Sequence, residues 1–213
     1  MVGEVISFFV ATFISLFTII NPFSTASVFH TISAGNTKKE KYDMAKRATI
    51  TAAIILIIFA FLGSYILHFF SVTIEAFKIA GGILVLSVGY RMIKSGKKHF
   101  ATEEEEDHAI DKEDVSIIPL AIPMLAGPGA MVTAIVLMEE AGKNATSIIS
   151  IIAAIIIVCI SAYILLLNSK YLERILGETG VRVTDKILGL IVLVIGVQFL
   201  INGISGLIPV WFP

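Results

Sequence analysis

The sequence predicts an all-α integral membrane protein whose six transmembrane helices form an inverted 3+3 repeat, with the first and fourth spans broken near the midplane. Three observations predict this. Apolar residues make up 56% of the 213 and charged residues 15%, where soluble domains carry ~25% charged. Six apolar segments, about 5–33, 48–70, 72–93, 115–138, 145–167 and 184–208, are each long enough to cross a hydrocarbon core that takes ~20 helical residues. Two of them, the first and the fourth, carry helix breakers at matching places.

The first segment runs to 29 residues, Val5 to Ser33, too long for one straight crossing. Pro22 removes an amide donor and clashes with the preceding turn, and it pushes Asn21 out of helical torsions. The segment therefore crosses as two half-helices. Its first charge is Glu4 and its first lysine Lys38, so it lacks the cationic start of a signal peptide and is expected to be a retained span.

The second and third segments are unbroken, and basic residues orient the set. Lys38, Lys39, Lys41, Lys46 and Arg47 follow the first span. Arg91, Lys94, Lys97, Lys98 and Lys112 follow the third, and Lys170, Arg174, Arg182 and Lys186 follow the fifth. That puts 14 of 16 Lys and Arg on one side, leaving Lys78 and Lys143 on the other. The positive-inside rule makes the crowded side cytoplasmic, with both termini outside. Residues 97–114 form an acidic cytoplasmic linker that divides a first three-helix repeat (1–96) from a second, inverted one (115–213). Its run Glu103 to Asp107, with His99 and His108, suits a solvated segment better than a metal site.

The fourth segment contains Leu125-Ala126-Gly127-Pro128-Gly129-Ala130-Met131. Two glycines and a proline cost on the order of 5 kcal/mol in a helix interior relative to alanine. Only about ten apolar residues precede the break and about nine follow it, so each piece covers half a hydrocarbon core. In the fifth segment a lone cysteine, Cys159, excludes an internal disulfide and reads as apolar filler. In the sixth, Gln198 and Asn202 suit inter-helix hydrogen bonds. Gly81, Gly82, Gly89, Gly189 and Gly196 suit close helix packing, and His30 and His68 read as interfacial rings.

The two halves echo one another. Lys78-Ile79-Ala80-Gly81-Gly82-Ile83 matches Lys186-Ile187-Leu188-Gly189-Leu190-Ile191 at four of six positions, offset by 108 residues. Pro22 falls against Pro128 at an offset of 106. Because three spans separate the copies, they enter the membrane from opposite sides, as in many secondary transporters.

Non-helical backbone survives at bilayer depth only when it is buried in protein or lines a cavity, so the paired breaks define a candidate substrate site. Its residues are Asn21, Pro22, Phe23, Ser24 and Thr25 in the first span. In the fourth they are Ala126, Gly127, Pro128, Gly129, Ala130, Met131 and Thr133. The second half-helices, starting near Ser24 and Ala130, offer free amides to an anion. The first halves end near Ile20 and Ala126 with carbonyls suited to an ammonium group or sodium ion. Asn21, Ser24, Thr25 and Thr133 add neutral hydrogen bonds, Gly127 and Gly129 allow close approach, and Phe23 and Met131 either cap the pocket or pack. No acidic or basic side chain is expected in the middle of a span, which favours a substrate neutral overall. A small zwitterion satisfies both kinds of helix end. No catalytic or metal residues and no cofactor are expected apart from a coupling H+ or Na+. A net charge of −1 gives no reason to expect nucleic acid, and no nucleophile–base pair or phosphate loop suggests an enzyme. The expected partners are a small neutral amino acid and the lipid bilayer, and a homo-oligomer is compatible with both.

Asn21-Pro22-Phe23, Ala80-Gly81-Gly82-Ile83-Leu84 and the run from Pro119 to Ala130 resemble signature segments of the MarC family of integral membrane proteins. The resemblance covers essentially the whole chain and departs from the family's pattern at Ser24, where glycine is frequent. It implies a prokaryotic cytoplasmic-membrane protein with six spans. It also implies transport of glycine and other small neutral amino acids driven by a proton gradient, as in an archaeal member. The competing expectations are an exporter of other small solutes or drugs, and a membrane protein that transports nothing.

Overall fold

A computed structural model of the protein describes residues 2–94 and 116–211. The elements are all helical: α1 (Val2–Ile20), α2 (Pro22–Ile32), α3 (Lys38–Phe69), α4 (Ile74–Lys94), α5 (Ser116–Leu125), α6 (Pro128–Ala141), α7 (Ala145–Leu167) and α8 (Ser169–Trp211). The expected linker at 97–114 lies outside the described residues.

Local chemistry sets the helix ends. Thr37 and Glu40 form a capping box at the start of α3, with Thr37 Oγ1 accepting from the Glu40 amide at 3.3 Å and Glu40 Oε2 from the Thr37 amide at 2.7 Å. This box carries α3 ten residues ahead of the apolar run expected from position 48. Asn144 caps α7, its Oδ1 accepting from the amides of Thr146 and Ser147. Within α8, Gly177 leaves helical torsions at φ 61 and ψ 177, a conformation open to glycine. α5 is wound as a π-helix, a winding that recurs at functional sites.

Among the described residues, five stretches are long and apolar enough to cross a membrane: Gly3–Ile32, Lys38–Phe69, Ile74–Lys94, Ala145–Leu167 and Thr179–Ile208. The first includes the interruption between α1 and α2. The segment expected at 115–138 is two helices, α5 with 10 residues and α6 with 14, each too short to span alone. Large apolar side chains cover the outside, among them Ile54, Ile58 and Phe61 on α3, Ile156, Ile160 and Ile164 on α7, and Leu190, Val194 and Ile201 on α8. That much exposed hydrocarbon is a surface for lipid, not water.

The interior is built on small residues. Ala45, Ala48, Ala52, Leu56 and Ala60 bury one face of α3, and Ile151, Ala154, Ile155, Val158 and Ala162 bury one face of α7, each at the three-to-four-residue spacing of a helix face. α4 and α8 form the most extensive helix pair. A Cβ on Gly82 would lie 2.8 Å from the Gly196 carbonyl oxygen, and one on Gly89 would lie 2.8 Å from that of Gly189. Glycine every seventh residue lets these backbones touch as they cross antiparallel. α1 packs on α7, α3 on α5, α6 and α7, and α2 on α7 and α8.

Candidate functional site

The helix of α1 stops at Ile20 and a new helix opens at Pro22. Asn21 between them is left-handed, at φ 47 and ψ 69, and fully buried. Asparagine tolerates this conformation better than most side chains because it bonds locally, and here every polar atom of Asn21 is used. Its amide donates to the Phe17 carbonyl at 2.9 Å, and its carbonyl accepts from the Thr25 amide and hydroxyl, each at 3.3 Å. Its Oδ1 accepts from the Ser24 amide at 3.3 Å, and its Nδ2 donates to Asp185 Oδ1 on α8 at 2.7 Å. Ser24 Oγ lies 3.5 Å from Asp185 Oδ2. The carboxylate fixes the amide's orientation, since only the NH₂ end can face it.

The second interruption is built differently. The Ala126 amide donates to the Ala121 carbonyl at 2.8 Å, ending the π-turns of α5, and Gly127 is extended at φ −73 and ψ 165 ahead of Pro128. A Cβ on Gly127 would collide with the Pro123 carbonyl oxygen, so only glycine lets the chain pass. No side chain caps α6. Pro128 has no amide hydrogen, and Gly129 and Ala130 follow as the second and third residues of the helix, where amides have no partner within it.

These residues face a cavity of about 220 Å³. Gly127 to Ala130 line it with Ile19 of α1, Val88, Arg91 and Met92 of α4, and Pro123 and Met124 of α5. The end of α1 comes close there: Ile19, the residue before its last, has its Cγ2 3.3 Å from where a Cβ on Gly129 would stand.

The expected site residues fall into two groups. Gly127, Pro128, Gly129 and Ala130 line the cavity. Asn21, Pro22, Ser24, Thr25, Ala126 and Thr133 are buried beside the interruptions, and Phe23 and Met131 are half-buried. Phe23 packs edge-on against Phe17, ring centroids 5.9 Å apart. The Thr25 and Thr133 hydroxyls both bond back to their own helices, Thr133 to the Gly129 carbonyl at 2.8 Å.

The expectation of a site free of charged side chains is corrected. Asp185 holds the first interruption from α8, and Arg91 lines the cavity at the second. In sequence each stands at the end of its apolar run, but the helices are staggered, so the ends of α4's and α8's apolar runs lie level with the breaks. Arg182 and Lys186 beside Asp185, and Lys94, Lys97 and Lys98 after Arg91, make both residues look like loop charges, and no motif marks them.

Three further polar contacts cross between helices. His30 Nε2 lies 3.2 Å from Glu173 Oε2. Lys78 Nζ lies 3.5 Å from Glu140 Oε1, which also accepts from Asn202 Nδ2 at 3.3 Å, and Gln198 donates to Asn202 at 2.7 Å. Asn202 thus makes the inter-helix bond expected of it.

Comparison with known proteins covers the same length. The family model described as MarC family integral membrane protein matches residues 6–208. A UPF0056 membrane protein of Methanocaldococcus jannaschii is 37% identical over 201 residues, 94% of this chain and 98% of the relative. One from Pyrococcus horikoshii is 39% identical over 204 residues, 95% of this chain and 97% of its own. The UPF0056 membrane protein YhcE of Escherichia coli is 33% identical over 199 residues, 92% of each chain. No solved structure matches the chain. With its helices sheathed in hydrocarbon and its match running from the first span to the last, this chain belongs to the MarC family of integral membrane proteins.

Proposed function

We propose that the protein is a secondary transporter of small neutral amino acids such as glycine, alanine and serine, with the zwitterion held at the half-helix ends of its two interrupted spans. The observation that carries this is the cavity of about 220 Å³ at the second interruption, walled on one side by Ile19 close to the end of α1. Matching interruptions in two halves of a chain are the best sequence pointer to a transporter's binding site. The amides of Gly129 and Ala130, which have no partner within α6, and Arg91 in the same cavity wall suit a carboxylate. The cavity's size weighs against bulky drugs as cargo.

An inverted repeat, residues 1–96 against 115–213, is part of the proposal and has support in the packing. The pairs α1–α7, α2–α7 and α2–α8 have counterparts in α5–α3, α6–α3 and α6–α4, while α3–α7 and α4–α8 are their own counterparts. Gly82 and Gly89 correspond to Gly189 and Gly196 at one offset of 107 residues, between the two offsets noted above. In this reading α5 and α6 together make the sixth crossing. The basic loops face the cytoplasm with both termini outside, and one half moves against the other to expose the site alternately.

Counterflow of labelled glycine in proteoliposomes tests the reading, with and without an imposed proton or sodium gradient. Saturable flux is expected, and a gradient that accelerates it identifies the coupling ion. Absence of saturable flux for glycine, alanine and serine under every gradient overturns it.

A further inference from the structure

We infer that the groove between α3 and α7 is a binding site for one anionic phospholipid, with its phosphate at Lys46 and an acyl chain along the apolar floor. The inference goes beyond transport and stands whatever the cargo. The groove encloses about 320 Å³ and shares no lining residue with the cavity at Gly127. Its two ends differ in chemistry. At one, Tyr42 and Tyr163 pack edge-on with ring centroids 5.9 Å apart, and Lys46 lines the groove one turn along α3 from Tyr42. At the other, Ala53 lies about 16 Å along α3 from Tyr42, and Ile156 about 10 Å along α7 from Tyr163. Thr49 and Cys159 are buried between them, and the Thr49 hydroxyl donates to the Ala45 carbonyl of its own helix at 2.8 Å. Ile156 and Ile160 stand exposed along the groove, so it opens on the surface that faces lipid.

The polar end lies where charge gives way to hydrocarbon. Residues 38–47 carry five basic and two acidic side chains, and Glu40, one of the two acids, is engaged in the capping box. After Arg47 the rest of α3 has no Asp, Glu, Lys or Arg, and α7 has none along its length. The tyrosine pair marks the same level, because a ring with a hydroxyl settles at the membrane–water boundary. Among the described residues that line the groove, none is acidic and Lys46 is the one cation. A phosphodiester with no cation of its own, as in phosphatidylglycerol, complements that charge, whereas phosphatidylcholine brings a positive group and gains less. Basic pockets between membrane helices hold anionic headgroups in this way. A free phosphate would meet the same lysine and leave the apolar length of the groove unfilled, so the occupant is a lipid.

Native mass spectrometry of the purified protein in a neutral detergent tests this, with phosphatidylglycerol and phosphatidylcholine of identical acyl chains added in equal amounts. One phosphatidylglycerol per chain is expected to stay bound, at about fivefold the affinity of phosphatidylcholine, the effect of one lysine at a headgroup. K46Q is expected to erase the preference. K39Q, which alters an exposed lysine outside the groove, is expected to keep it. A53F places a ring at the apolar end and is expected to weaken both lipids while leaving their ratio unchanged. A preference that survives in K46Q overturns the assignment. So does one lost equally in K39Q, because the whole basic end of α3 then attracts anionic lipid. Unaltered lipid binding in A53F overturns the placement of the chain, and glycerol 3-phosphate binding as tightly as phosphatidylglycerol overturns the choice of a lipid. A lipid-free dimer that excludes both lipids makes the groove a contact between two copies and overturns the inference as well.

Discussion

Asn21 donates its side-chain amide to Asp185 across 2.7 Å, joining positions 164 residues apart in the chain. The bond ties the left-handed residue between α1 and α2 to the last helix. N21A removes a hydrogen bond to a charged group, worth about 1.5–3 kcal/mol, and the cap on the Ser24 amide, worth about 1 kcal/mol. It also places an alanine Cβ at φ 47, which costs about 1–2 kcal/mol. N21G loses the same bonds but relaxes the backbone. Thermal unfolding in detergent is expected to rank wild type above N21G and N21G above N21A. An N21A protein as stable as wild type shows that the bond does not hold this interruption.

Gly127 and Gly129 differ in what an added methyl group meets. At Gly127 it meets the rigid Pro123 carbonyl, whereas at Gly129 it reaches Ile19 Cγ2 at 3.3 Å, a side-chain end that shifts by a few tenths of an ångström. G127A is expected to lower stability by about 2–3 kcal/mol. G129A is expected to fold within about 1 kcal/mol of wild type while filling part of the cavity, so glycine counterflow falls at least severalfold. Equal flux in G129A and wild type separates the cavity from transport.

The interruptions were legible in the sequence because proline and glycine act on their own backbone, wherever the chain goes. Asn21-Pro22 and Gly127-Pro128 needed no tertiary information. Asp185 and Arg91 were not legible, because their nearness to the breaks depends on how far α8 and α4 slide along their neighbours. That stagger is set by the contacts of Gly82 with Gly196 and Gly89 with Gly189, whose register no single segment encodes. The extension of α3 to Lys38 was written in Thr37-Lys38-Lys39-Glu40 but lay outside the apolar run used to mark the span. The π-winding of α5, closed by Ala126 onto Ala121, has no counterpart in hydrophobic periodicity, since an apolar run is compatible with either winding.

The proposed orientation places Lys39 in the cytoplasm and Lys143 outside, and both residues are exposed. Cys159 is the only cysteine and is buried, so C159A gives a clean background for K39C and K143C. A membrane-impermeant maleimide added to intact cells is expected to label K143C at once and K39C only after lysis. The reverse pattern inverts the topology.

The crossing of α4 and α8 carries the last expectation. A Cβ on Gly89 would lie 2.7 Å from the Leu193 amide nitrogen and 2.8 Å from the Gly189 carbonyl oxygen. Both obstacles are backbone, so the helices themselves must part. G89A is therefore expected to cost about 2–3 kcal/mol, whereas G35A, which meets nothing within 4 Å, is expected to stay within about 0.5 kcal/mol of wild type. G82A and G196A press on the same contact from opposite sides, so once either has separated the helices the second methyl group meets less. The double variant should then fall short of the sum of the single ones by about 1 kcal/mol or more. Strict additivity in the double-mutant cycle indicates that the two glycines do not share a contact. It would also remove the register that brings Asp185 level with Asn21.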